Sequence, residues 1–357
     1  MPGLKNLYAA AAIAAITCVA AGFTPADKKS VHTKLGVAEN VLRLANAFKA
    51  TLTAEQIARL EIPLTRTASV KWTNIPGGAA NRNGLEFSEL NDVQLNAAKA
   101  VIKAASGTAA NEGYDEFLQI GLADGVIGKS GRSGYGPGEY IIAFLGQPSA
   151  TGTWMLQFGG HHYAQNIVYN KGKTASATPI FLGGDPREWT TDNVKYAPLV
   201  QEHDAMADML ASFSADELAK AKISDKFGDV LLGTAKDGKF PAAKAGIRVG
   251  ELNAGAKAKV IAAMMPWLND IDADIRAKLL KTYTKELSDT YIAYSGNDAG
   301  VSGDPASFLK VIADYVRIDG PGVWIEFACQ PGVYSNQPHY HTIFRDHRLD
   351  YNNLWNF

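Results

Sequence analysis

Gly84-Leu-Glu-Phe-Ser-Glu-Leu-Asn91 returns further along the chain as Gly246-Ile-Arg-Val-Gly-Glu-Leu-Asn253. In both copies the final asparagine stands before an amphipathic segment rich in alanine and lysine. Asparagine is among the residues that best cap the first turn of a helix, because its side chain accepts a hydrogen bond from a free backbone N–H group. The two copies therefore predict two equivalent helices, one in each half of the chain.

A second pair of similar segments has nearly the same separation. Leu52-Thr-Ala-Glu-Gln-Ile-Ala58 matches Phe213-Ser-Ala-Asp-Glu-Leu-Ala219. Each contains the pattern of a helix capping box, which begins at Thr53 in the first segment and at Ser214 in the second. Since similarity at a constant spacing indicates a repeated structural unit, we interpret the chain as an internal duplication.

Strand patterns follow the helical patterns in each half. Tyr140-Ile-Ile-Ala-Phe-Leu145 and Thr153-Trp-Met-Leu-Gln-Phe158 predict a β-hairpin. Tyr315-Val-Arg-Ile318 and Val323-Trp-Ile-Glu-Phe327 predict its counterpart in the second half. The expected fold is α+β, with internally duplicated helix-then-hairpin halves and pseudo-twofold symmetry around an antiparallel or mixed sheet.

The first 21 residues have the features of a secretory signal peptide. Lys5 supplies a positive charge, residues 7–19 are almost uninterruptedly apolar, and small residues occupy positions 19–21. The apolar run is too short for a membrane-spanning helix, which needs about 20 residues. We expect a periplasmic or secreted protein that has no membrane anchor after removal of residues 1–21.

The composition is that of an ordinary globular protein. Hydrophobic residues make up 46% and charged residues 20% of the 357 residues, and the formal net charge is −1. There is no dense run of Lys and Arg that would indicate a nucleic-acid partner. We predict a single α+β domain over residues 22–357, with similar halves near 22–177 and 178–357, and a small-molecule substrate as the partner to consider.

Histidine is concentrated in two short segments, Gly160-His161-His162-Tyr163 and His339-Tyr340-His341. The second segment reads as a strand, in which residues two apart point to the same face, so His339 and His341 present two imidazoles side by side. Two such nitrogen ligands leave a second segment to supply the third ligand of a transition-metal site.

The adjacent pair His161 and His162 is expected to supply that third ligand. On a regular strand these two side chains would point to opposite faces, so only one of them could join the other histidines. A bulge at Gly159-Gly160 would change this by re-aiming the side chains. The candidate metal ligands are His161, His162, His339 and His341. We predict that the two histidine segments meet in space and hold a transition-metal ion, zinc or copper.

Several longer motifs together resemble those of the DUF3500 family, bacterial exported proteins of unassigned function. The motifs are Gly160-His161-His162, Thr178-Pro-x-Phe-Leu-Gly183, Arg317-Ile-Asp-Gly-Pro321, and His339-x-His341-Thr-x-x-Arg345-Asp346 with Asp350-Tyr351. The resemblance spans nearly the whole mature chain. It implies membership of a family that has no assigned activity, so it adds no reaction to the interpretation.

Acidic and polar residues near the histidines complete the candidate site. A carboxylate beside a metal-bound water can accept its proton, which makes Glu326 and Asp346, with the neighbouring Arg345, candidate catalytic residues. For Arg345 and Asp346 the alternative is a structural ion pair. The candidate substrate-binding residues are Tyr163, Asn166 and Tyr340.

Three classes of function follow from these patterns. The first is a metal-dependent hydrolase that activates water, or a copper or iron oxidoreductase built on the same ligands. The second is a periplasmic protein that binds metal without turnover. The third is a metal-free ligand-binding or structural protein in which the histidines serve packing and hydrogen bonding. The sequence does not decide whether the protein is an enzyme.

Overall fold

A computed structural model describes residues 35–298, 301, 307–335 and 337–357. The predicted signal peptide, residues 1–21, lies outside these residues. The helices of the described part are α1 (Val37–Lys49), α2 (Ala54–Leu60), α3 (Arg66–Ser69), α4 (Asp92–Ala105), α5 (Tyr114–Lys129), α6 (Val200–Ala211), α7 (Ala215–Ala221), α8 (Ala254–Asn269) and α9 (Ala273–Glu286). Among the residues described, no helix is both long enough and apolar enough to cross a membrane.

The strands fall into one large sheet and one short hairpin. They are β1 (Glu61–Ile62), β2 (Leu85–Glu86), β3 (Ile141–Leu145), β4 (Thr153–Gly160), β5 (Tyr163–Asn170), β6 (Lys173–Ser176), β7 (Ile180–Gly184), β8 (Trp189–Thr191), β9 (Val194–Tyr196), β10 (Ile247–Arg248), β11 (Tyr291–Ser295), β12 (Tyr315–Asp319), β13 (Val323–Pro331) and β14 (Pro338–Asp346). Strands β8 and β9 form the separate hairpin.

Within the described residues, the large sheet has twelve strands in the order β1-β3-β4-β5-β7-β14-β13-β12-β11-β10, with β2 beside β3 and β6 beside β5. Strands β1 and β3 pair in parallel, whereas the neighbours from β3 to β10 pair antiparallel. The sheet is therefore mixed, and the predicted α+β class is confirmed.

The predicted helix starts are confirmed by their capping hydrogen bonds. The side chain of Asn91 accepts a hydrogen bond from the backbone N–H of Gln94 at the start of α4, and Asn253 accepts one from Ala256 at the start of α8. Both capping boxes are also formed, at α2 and at α7. These are local interactions between residues three apart, so the sequence pattern was sufficient to locate them.

The predicted match between the two hairpins needs correction. The hairpin that ends in the Trp154 strand is β3–β4, the second and third strands from one end of the sheet order, whereas the hairpin of Trp324 is β12–β13, the third and fourth from the other end. These hairpins do not hold matching places in the sheet. A tryptophan on a strand after a turn is too general a feature to establish the equivalence of two strands.

The two faces of the large sheet are covered differently. Helix residues such as Phe117 of α5 and Trp267 of α8 belong to the larger apolar core, together with strand residues such as Tyr163 and Tyr340. On the other face, Phe227 and other loop residues pack in a smaller core with strand residues. Alternate residues of each strand therefore face either the helix side or the loop side of the sheet.

Candidate metal centre

His161 and His162 form the two-residue turn between β4 and β5, where Gly160 pairs with Tyr163. His162, the second central residue of the turn, has φ +63°, the sign that a type II turn requires at this position. The two imidazole rings stack with their centroids 3.7 Å apart. The expectation that a strand would send these side chains to opposite faces was wrong, because at this point the chain reverses direction.

His339 and His341 lie on β14 and face the same side, as predicted from their spacing. Their Nε2 atoms are 3.1 Å apart, and both side chains are buried. The cross-strand partner of His341 on β13 is Ala328, which belongs to the smaller core, so the pair faces the loop side of the sheet. This strand alone therefore brings two imidazole nitrogens to one point.

Strand β7 separates the turn residues from β14, and Gly183 allows the turn to reach across it. Gly183 pairs with His341, while its neighbour Leu182 pairs with Tyr163 beside the turn. A Cβ atom on Gly183 would stand 2.9 Å from Cδ2 of His162. Because glycine has no side chain, the His162 ring can lie against β7 and approach His339 and His341 on the next strand.

The histidine segments meet, as predicted. One nitrogen from each of His162, His339 and His341 lies within 4.8 Å of the other two, and all three residues are buried. The ring centroid of His162 is 5.1 Å from that of His339 and 5.1 Å from that of His341. His161 is adjacent but does not belong to this group of three. We call these four residues the histidine cluster.

Two aspartates hold histidines of the cluster in place. Nδ1 of His341 is 2.9 Å from Oδ1 of Asp229, and Nδ1 of His161 is 2.5 Å from Oδ1 of Asp124. A carboxylate that accepts the Nδ1 proton leaves the lone pair on Nε2, and for His341 this nitrogen points toward His339. Carboxylate–histidine pairs of this kind are the usual outer support of metal-binding imidazoles.

Burial keeps two imidazoles of the cluster, those of His162 and His339, neutral. Burial lowers the pKa of His339 to about 3, with further lowering by His341 and His161. Burial, together with the three neighbouring histidines, also lowers the pKa of His162 well below its usual value. Burial opposes ionisation of Asp229, but the hydrogen bond and charge interaction with His341 outweigh it, so the pKa of Asp229 is lowered.

These features fit a transition-metal ion of borderline softness. Neutral imidazole is a preferred ligand of zinc and copper, and a catalytic zinc site commonly has three protein ligands and one position for water or substrate. With bonds of 2.0–2.1 Å, two ligands of a tetrahedral ion are about 3.3 Å apart, close to the observed separation of the two Nε2 atoms. The described residues can therefore hold such an ion.

Glu326 is on the same side of the sheet as His339 and His341, because it pairs with Ile343 just as Ala328 pairs with His341. It is fully buried and accepts hydrogen bonds from the Leu232 N–H and the Tyr315 hydroxyl, both at 3.2 Å. Burial raises its pKa to about 7. These contacts explain its burial without a ligand, and its predicted role as a catalytic base stays a prediction.

Arg345 and Asp346 point to opposite sides of β14 and do not pair with each other. Arg345 is fully buried on the loop side, where its guanidinium contacts Asp350 at 2.8 Å and Asp237 at 3.1 Å and donates to the Leu232 carbonyl. Asp346 accepts a hydrogen bond from the Tyr283 hydroxyl at 2.7 Å on the helix side. Arg345 therefore forms its structural ion pairs with Asp237 and Asp350 instead of Asp346. A catalytic role for Arg345 and Asp346 stays a prediction.

Each of the three candidate substrate-binding residues contacts residues outside the histidine cluster. Tyr163 and Tyr340 face the helix side, opposite to His339 and His341, where their rings contact Phe117 and His203 respectively. The side-chain amide of Asn166 accepts a hydrogen bond from Gln157 and donates one to the Pro179 carbonyl. The structure does not bring these three residues together with His339 and His341, and their proposed contact with substrate stays a prediction.

The sequence patterns do not reveal Asp124, Asp229 or the spatial role of Gly183. Both aspartates are far along the chain from the histidines that they contact, and no local pattern distinguishes them from surface acids. Gly183 ends one of the motifs quoted above, but the motif does not show that the His162 ring lies against it. A glycine on a buried strand is a signal for close approach by another group.

The family model for DUF3500, described as a protein of unknown function, matches residues 35–353. The chain therefore belongs to the DUF3500 family, and the resemblance found in its motifs is confirmed. No match is found among curated proteins. Solved structures likewise provide no match. The function must therefore be inferred from the site itself.

Proposed function

We propose that this protein binds one zinc ion through His162, His339 and His341 and uses it to activate water for hydrolysis of a small molecule. The observation that supports this is the convergence of three buried imidazoles within 4.8 Å of one another, two of which, those of His162 and His339, have lowered pKa values. When bound in such a set, zinc polarises a substrate carbonyl and lowers the pKa of water to about 7.

The surrounding residues would then have separate roles. Asp229 would orient His341 by accepting its Nδ1 proton, and Gly183 would leave room for His162. His161 would serve as the proton acceptor, because Asp124 holds its Nδ1 proton and leaves Nε2 with a lone pair. We prefer His161 to Glu326 as the proton acceptor, because the His161 ring stacks on that of His162, a proposed zinc ligand.

Metal content is the first test. Tag-free mature protein should contain about one equivalent of zinc, and His339→Ala should remove it, because two imidazoles make a poor zinc site. Stoichiometric copper or iron with oxidant-dependent reactivity would instead favour the oxidoreductase alternative. Stoichiometric binding that survives the combined loss of His339 and His341 would contradict the site itself.

Turnover is the second test. Hydrolysis of a small activated ester such as p-nitrophenyl acetate should require zinc and be restored by adding zinc back. His161→Asn should keep the zinc but lower the rate by about 100-fold, as loss of a general base does. Equal rates in the wild type and in His161→Asn would remove His161 from the mechanism. Zinc binding without turnover on a broad ester panel would favour the non-catalytic metal-binding protein.

We also propose that the protein is exported and that residues 1–21 are removed. The charged start, the apolar run and the small residues at positions 19–21 support this proposal. The intact mass of protein recovered from the periplasm of a bacterial host should correspond to a chain that begins at Gly22. A mass that retains Met1 would contradict export by signal cleavage.

The internal duplication is a further part of the proposal. In its support, Gly84 and Gly246 both have positive φ and both approach a strand carbonyl, that of Ile142 and that of Ile292 respectively, leaving no room for a Cβ atom. The parallel pairing of Glu61 with Phe144 likewise has a counterpart in the bridge between Lys222 and Tyr294. Backbone superposition in a crystal structure should align β4–β5 with β12–β13, whereas unrelated paths of the chain would contradict duplication.

A further inference from the structure

A second cluster of titratable groups lies among the helices, on the opposite side of the sheet from His339 and His341. It consists of Glu112, Glu116, Glu202 and Asp270, and we call it the acidic cluster. We propose that the acidic cluster is a binding site for a divalent cation that prefers oxygen ligands, distinct from the transition-metal site.

The chain brings these carboxylates together from three separate segments. Glu112 precedes α5, Glu116 is in its first turn, Glu202 is in the first turn of α6, and Asp270 follows the last residue of α8. One oxygen from each of Glu112, Glu202 and Asp270 lies within 4.8 Å of the other two. This is a group of oxygen atoms that one ion can contact at the same time.

Glu116 supplies an independent observation that points to a ligand. Its side chain is fully buried, no N–H or hydroxyl group of the described residues donates to either of its oxygens, and it interacts with other acids, through a carboxyl–carboxyl hydrogen bond with Asp270 and through charge with Asp270, Glu202 and Glu112. Both oxygens of Glu202 are also buried without partners. Carboxylate oxygens with no donor in a protein interior are rare, because burying them is costly unless they are paired or bind an ion.

The described part of the chain provides little compensation for these charges. The backbone N–H of Gly113 donates to Oδ1 of Asp270 at 2.7 Å. None of the ion pairs within the described residues joins a Lys, Arg or His to any of the four carboxylates. The negative charge must therefore be neutralised by protons or by a cation from solution.

Without a cation, protons occupy the cluster. Burial raises the pKa of Glu112 to about 9 and that of Asp270 to about 7, and it raises the pKa of Glu116 and Glu202 well above their usual values. A divalent ion would replace protons on two carboxyl groups, and the other two could stay protonated, which leaves the cluster neutral. Cation binding is therefore expected to release protons into solution.

The type of donor determines the type of ion. The cluster offers only carboxylate oxygens, which suit Ca²⁺, Mg²⁺ and Mn²⁺, whereas the histidine cluster offers imidazole nitrogens, which suit zinc and copper. An ionised carboxylate can bind Ca²⁺ through both oxygens, so two ionised groups of the cluster would supply up to four of the 6–8 oxygen contacts that this ion takes, and water would supply others.

Calorimetric titration of the metal-free full chain with CaCl₂ and, separately, MnCl₂ tests the proposal. We expect one equivalent of at least one ion to bind, with proton release visible as a dependence of the heat on the buffer. Binding should persist in a variant that combines His339→Ala and His341→Ala. It should fall at least tenfold in Glu202→Gln, and Asp208→Asn on the exposed side of α6 is the matched control.

Glu116→Gln provides a second variant in case Glu202→Gln does not fold. Because glutamine is nearly isosteric and uncharged, either change should raise the melting temperature of the metal-free protein at neutral pH while removing the rise caused by the ion. Three outcomes would overturn the proposal: neither ion binds to folded wild-type protein, binding is unchanged in both glutamine variants, or binding is lost with the histidines.

Discussion

The histidine cluster and the acidic cluster each gather four buried ionisable side chains, but burial shifts pKa values in opposite directions in the two clusters. Burial lowers the pKa of His339 to about 3, so this imidazole is buried as a neutral base. Burial raises the pKa of Glu112 to about 9, so this acid is buried with its proton. The same desolvation therefore prepares one cluster to accept a metal directly and the other to exchange protons for one.

The two clusters also differ in their outer support. His341 and His161 each have an aspartate that fixes the orientation of the ring. In the acidic cluster, no N–H group of the described residues donates a hydrogen bond to Glu116, whose carboxyl group interacts with other acids. The first site is thus ordered by the protein before an ion arrives, whereas the second is expected to gain order from the ion. We therefore expect that the loss of a single contact around the histidines will lower the affinity for zinc.

The largest effect is expected from removing both strand histidines. The combined variant His339→Ala and His341→Ala should lose stoichiometric zinc, because only His162 of the three ligands would remain. Zinc content by elemental analysis is the measurement, with His347→Gln as a control at a histidine outside the cluster. Full zinc occupancy in the combined variant would show that the imidazoles converge for packing alone.

Glu326 tests the effect of burial on the pKa of an acid that, unlike Glu116, receives hydrogen bonds from N–H and hydroxyl donors. Its pKa is raised from 4.5 to about 7 by burial, so the protonated form is favoured in the native state. Its contribution to stability is therefore present below pH 4.5 and is lost as the pH rises through 7. Glu326→Gln should reduce the fall in unfolding free energy between pH 4.5 and pH 8 by about 3 kcal/mol.

Urea unfolding at both pH values measures this difference. Tyr315→Phe, which removes one donor to Glu326, should raise the pKa of the carboxyl further and steepen the dependence on pH. An identical pH dependence in the wild type and in Glu326→Gln would mean that water, and not the two donors alone, solvates this carboxylate.

Gly183→Ala tests whether close approach across β7 is required for the third ligand. The added methyl group would meet the His162 ring at 2.9 Å, so the ring must move away from His339 and His341. Zinc affinity should fall toward the upper end of the about 10–100-fold range seen when the surroundings of a metal ligand are disturbed. In Gly184→Ala, the matched control, the nearest atom is at an ordinary 3.7 Å. Equal affinities in the two variants would argue against His162 as a ligand.

The smallest effect is expected for Asp229→Asn. The amide keeps the shape of the side chain but no longer attracts the Nδ1 proton of His341 with a full charge. Because the Asp229 side chain is about half exposed, at 46%, we expect a decrease in zinc affinity of about tenfold. Competition with a chelator of known affinity measures it. An unchanged affinity would show that the sheet alone orients His341.

Much of the fold could be predicted because its signals are local. The caps at Asn91 and Asn253 and the shared face of His339 and His341 depend on residues only two or three positions apart. The match between the hairpins failed because strand order in a sheet depends on which strands pair, and hairpin patterns contain no information about that order. Local patterns therefore predicted the positions of helices and strands along the chain better than they predicted which strands pair in the sheet.

The sequence by itself determined the family, the capped helices, the α+β class and the shared face of His339 and His341, because periodicity and spacing express backbone geometry directly. The tertiary structure decided that His162 is the member of the adjacent pair that joins them, and that Asp229 supports the site. It also assembled the acidic cluster from three distant segments. These features depend on burial and on long-range contacts, and neither exists until the helices and the sheet have packed together.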